Sequence, residues 1–357
     1  MSDYFELDFL AVETKKSGDA ICARYEIAGD TFIHVIDGGY QDTGKKLVEH
    51  INAYYGNPTF IDHVVLTHPD GDHAAGLASV LESFEIGTLW MHRPWTHAAE
   101  LLDRFETYTS VDALKRRLKQ AYPNVANLEA IAEEREIAIG EPFQGTQIGA
   151  FTVMAPTYHR YLDLIVNSEK TPEAVEESKA LGLIQSLLIK AANFVKGVWG
   201  HEVFSPNETS AENEMSVVQF ATLCQLKILL TGDVGRAGLM EAAEYAPAIG
   251  LALPGIDRFQ VPHHGSRRNV STETLDAWLG ERLESKPAEG QETFTALISS
   301  AEEDQDHPRK SVVRAMIHRG AKVVCTEGQN IRTQKNAPSR DGWGPVTPRG
   351  YPEDQEE

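Results

Sequence analysis

The residues Ile61–Leu66 form a short apolar run with the length of a buried strand, and they lead straight into Thr67-His68-Pro69-Asp70-Gly71-Asp72-His73. Four ligand-type side chains thus fall within six residues of one strand end. Asp70 and Asp72 would repel each other at that range, and a bound cation removes the conflict. Gly71 lets the loop turn tightly, and Ala74–Phe84 then resumes helical spacing. A lone His-x-Asp here would read as a solvated turn capping that helix. The denser cluster, behind an apolar strand, points to a metal site.

Other strand candidates end in the same manner. Val35-Ile36 runs into Asp37-Gly38-Gly39, and Ile228-Leu229-Leu230 into Thr231-Gly232-Asp233. Gln260-Val261 runs into Pro262-His263-His264-Gly265-Ser266, and Asp306-His307-Pro308 follows the strand candidate Phe294–Ser299. Each is weak alone; Asp233, for example, would serve as an ordinary helix N-cap. Adjacent histidines point in different directions, so one can face a metal while the other faces substrate or a supporting partner. Together these segments place ligand-type residues at the C-terminal ends of successive strands, where α/β folds build their sites.

The wider pattern agrees with an α/β protein. Period-2 or short apolar runs at Tyr4–Val12, Ala20–Ile27, Thr31–Ile36, Gln147–Met154, Ser216–Leu223, Leu226–Leu230 and Arg258–Val261 read as strands. Helical spacing appears at Thr43–Tyr55, across 97–136, and at Gly235–Glu244, Thr272–Leu283 and Lys310–Arg319. Two sheets packed together and covered by helices account for this order. We expect one domain over residues 1–330, with a helical insertion at about 158–212 (its helix roughly Thr171–Val195), and a mobile polar tail over 331–357. Lys and Arg number 33 against 53 Asp and Glu, a net charge of −20, which excludes adhesion to DNA or anionic lipid through a broad basic surface. Cys22, Cys224 and Cys325 lie too far apart for a disulfide framework or a Cys-x-x-Cys knuckle. The segment MSDYFELDFL has no basic leader region, and no apolar run approaches the ~20 residues needed to span a bilayer. A cytoplasmic protein with no membrane association is expected.

The motifs VIDGG (35–39), LTHPDGDHAAGL (66–77), NEMSVV (213–218), ILLTGD (228–233), VPHHGS (261–266) and DHP (306–308) resemble, in this order, the metallo-β-lactamase superfamily. Within it they are similar to the C-terminal hydrolase domain of competence DNA-uptake channel proteins. The resemblance implies an αββα sandwich with two divalent metal ions. His68 and Asp70 would bind the first, Asp72 and His73 the second, and Asp233 would bridge them. The final ligand would be His307 or His263, with His307 favoured because it follows the last core strand; His263, His264 and Ser266 would then line the substrate side. Asp70 stands where the superfamily's commonest loop has a second His, as it often does in the competence group, and this extra oxygen donor makes Mn²⁺ or Mg²⁺ plausible beside Zn²⁺. Asn213 stands in the region where many members carry a further His, again as in the competence group, and Asp37 would orient a ligand from behind.

The implied reaction is hydrolysis by a water bridging two metals, oriented by Asp72, with His264 or Ser266 steadying the leaving oxygen. Arg267 and Arg268 after HHGS, with Arg309 and Lys310 after DHP, would hold an anionic phosphate substrate, nucleic acid included. A phosphodiesterase or nuclease is therefore expected. The alternatives are a hydrolase of a small carbonyl or cyclic-nucleotide substrate, or a regulatory module whose acidic surface engages a protein partner.

Overall fold

The structure, a computed structural model, describes residues 3–12, 14–171 and 194–356. The helix expected over about 171–195 falls almost wholly outside the described residues. Sixteen strands are described: β1 Phe5–Phe9, β2 Ala20–Ile27, β3 Asp30–Gly38, β4 Phe60–Val65, β5 Glu85–Trp90, β6 Ala138–Gly140, β7 Gln147–Ile148, β8 Phe151–Ala155, β9 Phe194–Lys196, β10 Val218–Leu223, β11 Leu226–Leu230, β12 Arg258–Gln260, β13 Phe294–Ile298, β14 Ala321–Cys325, β15 Ile331–Lys335 and β16 Asp354–Glu356. One seven-stranded sheet has the order β15-β1-β2-β3-β4-β5-β6, and the other β14-β13-β12-β11-β10-β8-β7. In each sheet one half is antiparallel and the other parallel: β3 to β6 run parallel in the first, and β11 to β14 in the second.

The two sheets face each other across a core in which Phe5, Leu7, Phe9, Ile21 and Tyr25 meet Phe151, Leu223, Ile228, Leu230 and Leu297. Helices cover the outer faces. Leu47, Ile51, Leu77, Leu81, Leu118 and Leu128 pack on the first sheet, and Leu239, Leu275, Trp278, Val312 and Met316 on the second. This is the expected αββα sandwich. It follows from strands whose alternate residues are apolar on both sides: each sheet buries one face on its partner and the other on helices.

Two expectations are corrected. β5, β6 and β14 were not read as strands; β5 carries Gly87, whose added Cβ would lie 2.6 Å from the Asp62 carbonyl, so an apparent strand-breaker marks a close backbone approach. Residues 331–356 do not form a detached tail. β15 pairs with β1 from Phe5↔Lys335 to Phe9↔Ile331, and β16 pairs with β9. The reason lies in β1, where Glu6 and Asp8 are both 0% exposed. Arg332 and Arg340 return to neutralise them, Arg340 reaching both carboxylates.

Candidate metal centre

The parallel strands deliver their polar ends to one edge of the sandwich. β4 ends at the 67–73 loop, β11 at Thr231–Asp233, β12 at His263-His264 and β13 at Ser299. Three glycines let these segments approach. A Cβ on Gly76 would lie 1.9 Å from the Gly38 carbonyl, and one on Gly44 would lie 2.1 Å from the Gly76 carbonyl. Asp37, His263 and His264 sit in the left-handed region, with φ of 57°, 48° and 55°. Side chains other than glycine pay for that conformation, and it persists where a site demands a particular direction.

Four imidazoles converge on one carboxylate. The Nε2 atoms of His68, His73, His263 and His264 lie 3.8, 3.3, 3.6 and 3.8 Å from oxygens of Asp233, which is 2% exposed. Asp70 Oδ2 is 3.8 Å from His68 Nε2, and Asp72 Oδ2 is 3.7 Å from His264 Nε2. Each ring is held from its other nitrogen. His73 Nδ1 donates to Asp37 (2.7 Å), which also accepts from the Thr67 amide and hydroxyl (2.8 and 2.6 Å). His68 Nδ1 lies 3.1 Å from Thr67 Oγ1, and His264 Nδ1 donates to the Ser299 carbonyl (2.9 Å). His263 Nδ1 rests between the side chains of Asn213 and Asn269, 3.0 Å from each. Partners of this kind fix the ring direction and leave Nε2 for a ligand.

Burial would push the imidazoles of His73 and His264 down, yet Asp233, with Asp37 for His73 and Asp72 for His264, outweighs it. His73 is held well above its ordinary value, and His264 rises to about 9. Burial would raise Asp233 and Asp72; the surrounding imidazoles instead hold both below the usual carboxylate range. Carboxylates that force protons onto neighbouring rings mark a site short of positive charge, and metal ions bind by replacing such protons.

The residues fit a metal. Among the described residues, His68 Nε2, His73 Nε2, His264 Nε2, Asp233 Oδ1 and Asp19 Oδ1 are buried without a hydrogen-bond partner. Orphans of this kind are rare and costly, and here they cluster. Donors bound about 2 Å from one tetrahedral ion stand about 3.3 Å apart, close to the spacings observed. Four overlapping donor groups emerge here: His68, His73 and Asp233; Asp72, His73 and His264; Asp19, Asp37 and His73; and Asp19, Asp233 and His264.

Set against the expected residues, His68, Asp70, Asp72, His73 and Asp233 come together, with Asp37 and Asn213 behind them. His264, expected on the substrate side, points into the cluster instead. His307, favoured as the last ligand, stands outside. Its Nδ1 faces Asp304 (3.4 Å), its ring stacks on His263 at 5.5 Å, and burial pushes it down to about 4. The left-handed turn at 263–265 carries His264 to Asp233, and the His307 ring lies 6.1 Å from the His264 ring. Ser266 Oγ accepts from the Arg268 amide (3.3 Å) and shapes the loop. Of the four expected substrate cations, Arg309 pairs with Asp306 and Lys310 with Asp354, whereas Arg267 and Arg268 follow the His263-His264 turn. Asp19 was missed. Its Oδ2 accepts from Gln260 (3.0 Å), it groups with Asp233 and His264, and burial lifts it to about 6. Asp19 precedes a strand, so a search of strand C-terminal ends passes over it.

Beside His68, a cavity of about 10 Å³ is lined by Leu66, Pro69, His92, Tyr161 and Met215. It has room for one water and none for a substrate.

Residues 21–147 match the family model of the metallo-beta-lactamase superfamily. That stretch carries β3 to β6 and the 67–73 loop of the site. Among solved structures, a diphosphatase of the PhnP family is 10% identical, covering 93% of this chain and 98% of that one, with a TM-score of 0.36. The diiron β-hydroxylase CmlA from Streptomyces venezuelae is 11% identical, covering 91% of this chain and 44% of that one, with a TM-score of 0.31. AbOPH, a hydrolase in the β-lactamase superfamily, is 13% identical, covering 60% of this chain and 56% of that one, with a TM-score of 0.26. No curated protein matches the chain. Among the described residues no helix is long and apolar enough to cross a membrane.

Proposed function

We propose that the chain is a metal-dependent hydrolase of phosphodiesters, a phosphodiesterase or nuclease of the competence-hydrolase type. The observation that carries this is the convergence of four imidazole Nε2 atoms on Asp233, with the Asp70 carboxylate beside His68 and the Asp72 carboxylate beside His264. Asp72, His73, His264 and Asp233 would hold one divalent ion, and His68, Asp70 and Asp233 a second, with His263 alongside; Zn²⁺ or Mn²⁺ suits this mixed nitrogen and oxygen set. Bound ions would supply Lewis acidity and lower the pKa of a water between them. The chain's own residues do the rest. Asp37, Ser299 and the Asn213–Asn269 pair keep the rings aimed. Arg267 and Arg268 meet an anionic substrate arriving over the turn. His307, holding Asp304 through Nδ1, stacks on His263 and would keep that ring in place. We further propose that the protein works in the cytoplasm, where its acidic surface suits substrate delivery by a protein partner.

The test is hydrolysis of bis(p-nitrophenyl) phosphate by protein loaded with Mn²⁺ or Zn²⁺, followed by a screen on single-stranded DNA, duplex DNA and RNA. Asp72→Ala and Asp233→Ala should each abolish turnover, and a chelator should do the same to the wild type. Activity unchanged in both variants would overturn the metal mechanism. Two bound ions with no cleavage of any nucleic acid would move a small carbonyl or cyclic-nucleotide substrate ahead.

A further inference from the structure

Lys170 belongs to none of the motifs, yet it reaches the metal centre. Its ammonium pairs with Oδ1 of Asp70, while Oδ2 of the same carboxylate stays 3.8 Å from His68 Nε2. The lysine is placed by buried neighbours on either side. Its amide donates to Ser168 Oγ (3.1 Å), and that hydroxyl accepts from Tyr122 (2.9 Å) and donates to Glu212. Thr171, 0% exposed, donates to the Ser168 carbonyl (2.6 Å). Lys170 therefore starts from an anchored stretch of backbone.

This makes the two halves of the centre unlike. Around Asp72, His73, His264 and Asp233, four side chains offer donors. Around His68, Asp70 and Asp233, with His263 alongside, one donor already carries an ammonium. Asn213, in the region where a further donor was sought, turns its amide to Thr209 (2.7 Å) and His263 (3.0 Å).

We propose that Lys170 sets the order and strength of metal uptake. Its charge weakens the ion held by His68 and Asp70, so that the Asp72–His73–His264 half fills first and the other fills only at higher concentration. The inference rests on the metal-centre reading given above. Charge decides the sign. An ammonium repels a divalent ion twice as strongly as it repels a single charge at the same distance. Its opposing benefit, holding the Asp70 carboxylate in place, is small, because the pair is 40% and 31% exposed at its side chains.

The experiment is titration of the chelator-stripped full chain with Mn²⁺ alone, free ion being read by electron paramagnetic resonance. Wild type should take one ion tightly and a second at least about tenfold more weakly. Lys170→Met should tighten the second ion at least about threefold, whereas Lys170→Arg should leave it unchanged. Asp70→Asn should lose the weaker ion only. Melting curves of the metal-free variants check the fold, and Lys170→Gln replaces the methionine variant if that one does not fold. Two ions of equal affinity in the wild type would overturn the proposal and leave the centre standing. So would a second ion unchanged in Lys170→Met, or weakened, the latter making the lysine a positioning residue for Asp70. A wild type that takes up no ion would instead remove the metal centre itself, and this proposal with it.

Discussion

His264 owes its place at the centre to a single backbone choice. With φ of 55° at His264 and 48° at His263, the turn after β12 points both rings at Asp233. Gly265 completes it at φ +85, and a Cβ there would meet Pro308 at 2.7 Å. Sequence shows two adjacent histidines and a third at position 307, all suitable donors; it does not show which way a left-handed turn aims them. The consequence is testable by metal analysis. His264→Ala should weaken uptake of the tight ion at least about 100-fold, while His307→Ala should retain both ions. Equal metal loss in the two variants would return His307 to the ligand set.

At the scale of elements, the motifs VIDGG and HAAGL acquire a shared purpose. In the sequence they are separate turns, each with a glycine. In the fold, Gly38 at the end of β3, Gly44 in the helix Gln41–Tyr54 and Gly76 before the helix Leu77–Ser83 touch backbone to backbone. The Gly76 amide donates to the Gly39 carbonyl (2.9 Å), and the Asp19 amide donates to the Asp72 carbonyl (3.1 Å). The loop bearing His68–His73 is thus clamped against two neighbours, with no room for a methyl group. Gly76→Ala should cost about 3 kcal/mol in urea unfolding and reduce metal affinity together with stability. A variant as stable as the wild type would show that the clamp has slack.

At the scale of the whole molecule, the two ends of the chain are fastened together. Glu6 binds Arg24, Arg332 and Arg340, while Asp8 binds Arg340, His50 and Tyr55. Burial would raise the Asp8 carboxyl, but the hydrogen bonds from His50 and Arg340 outweigh it and lower it. A carboxylate lowered on folding stabilises at pH values above its unfolded value, and that contribution fades as pH falls through its native value. Arg340→Ala should therefore cost about 3 kcal/mol at pH 7, with the difference from wild type shrinking in acid. A penalty that does not vary with pH would show that Arg340 acts through packing on Tyr54, Tyr55 and Trp343 rather than through charge. By itself the sequence determined the layered α/β class and the position of the centre. Apolar periodicity fixes which segments become strands, and a dense polar cluster at a strand end has few other uses. It also named His68, Asp70, Asp72, His73 and Asp233, because these lie on strand-end loops that local sequence can identify. Only the tertiary structure decided that His264 rather than His307 points inward, that Asp19 and Lys170 join from outside every motif, and that residues 331–356 close the sandwich. Each of those depends on contacts between segments far apart in the chain, and local spacing holds no record of which buried acid will meet which distant cation.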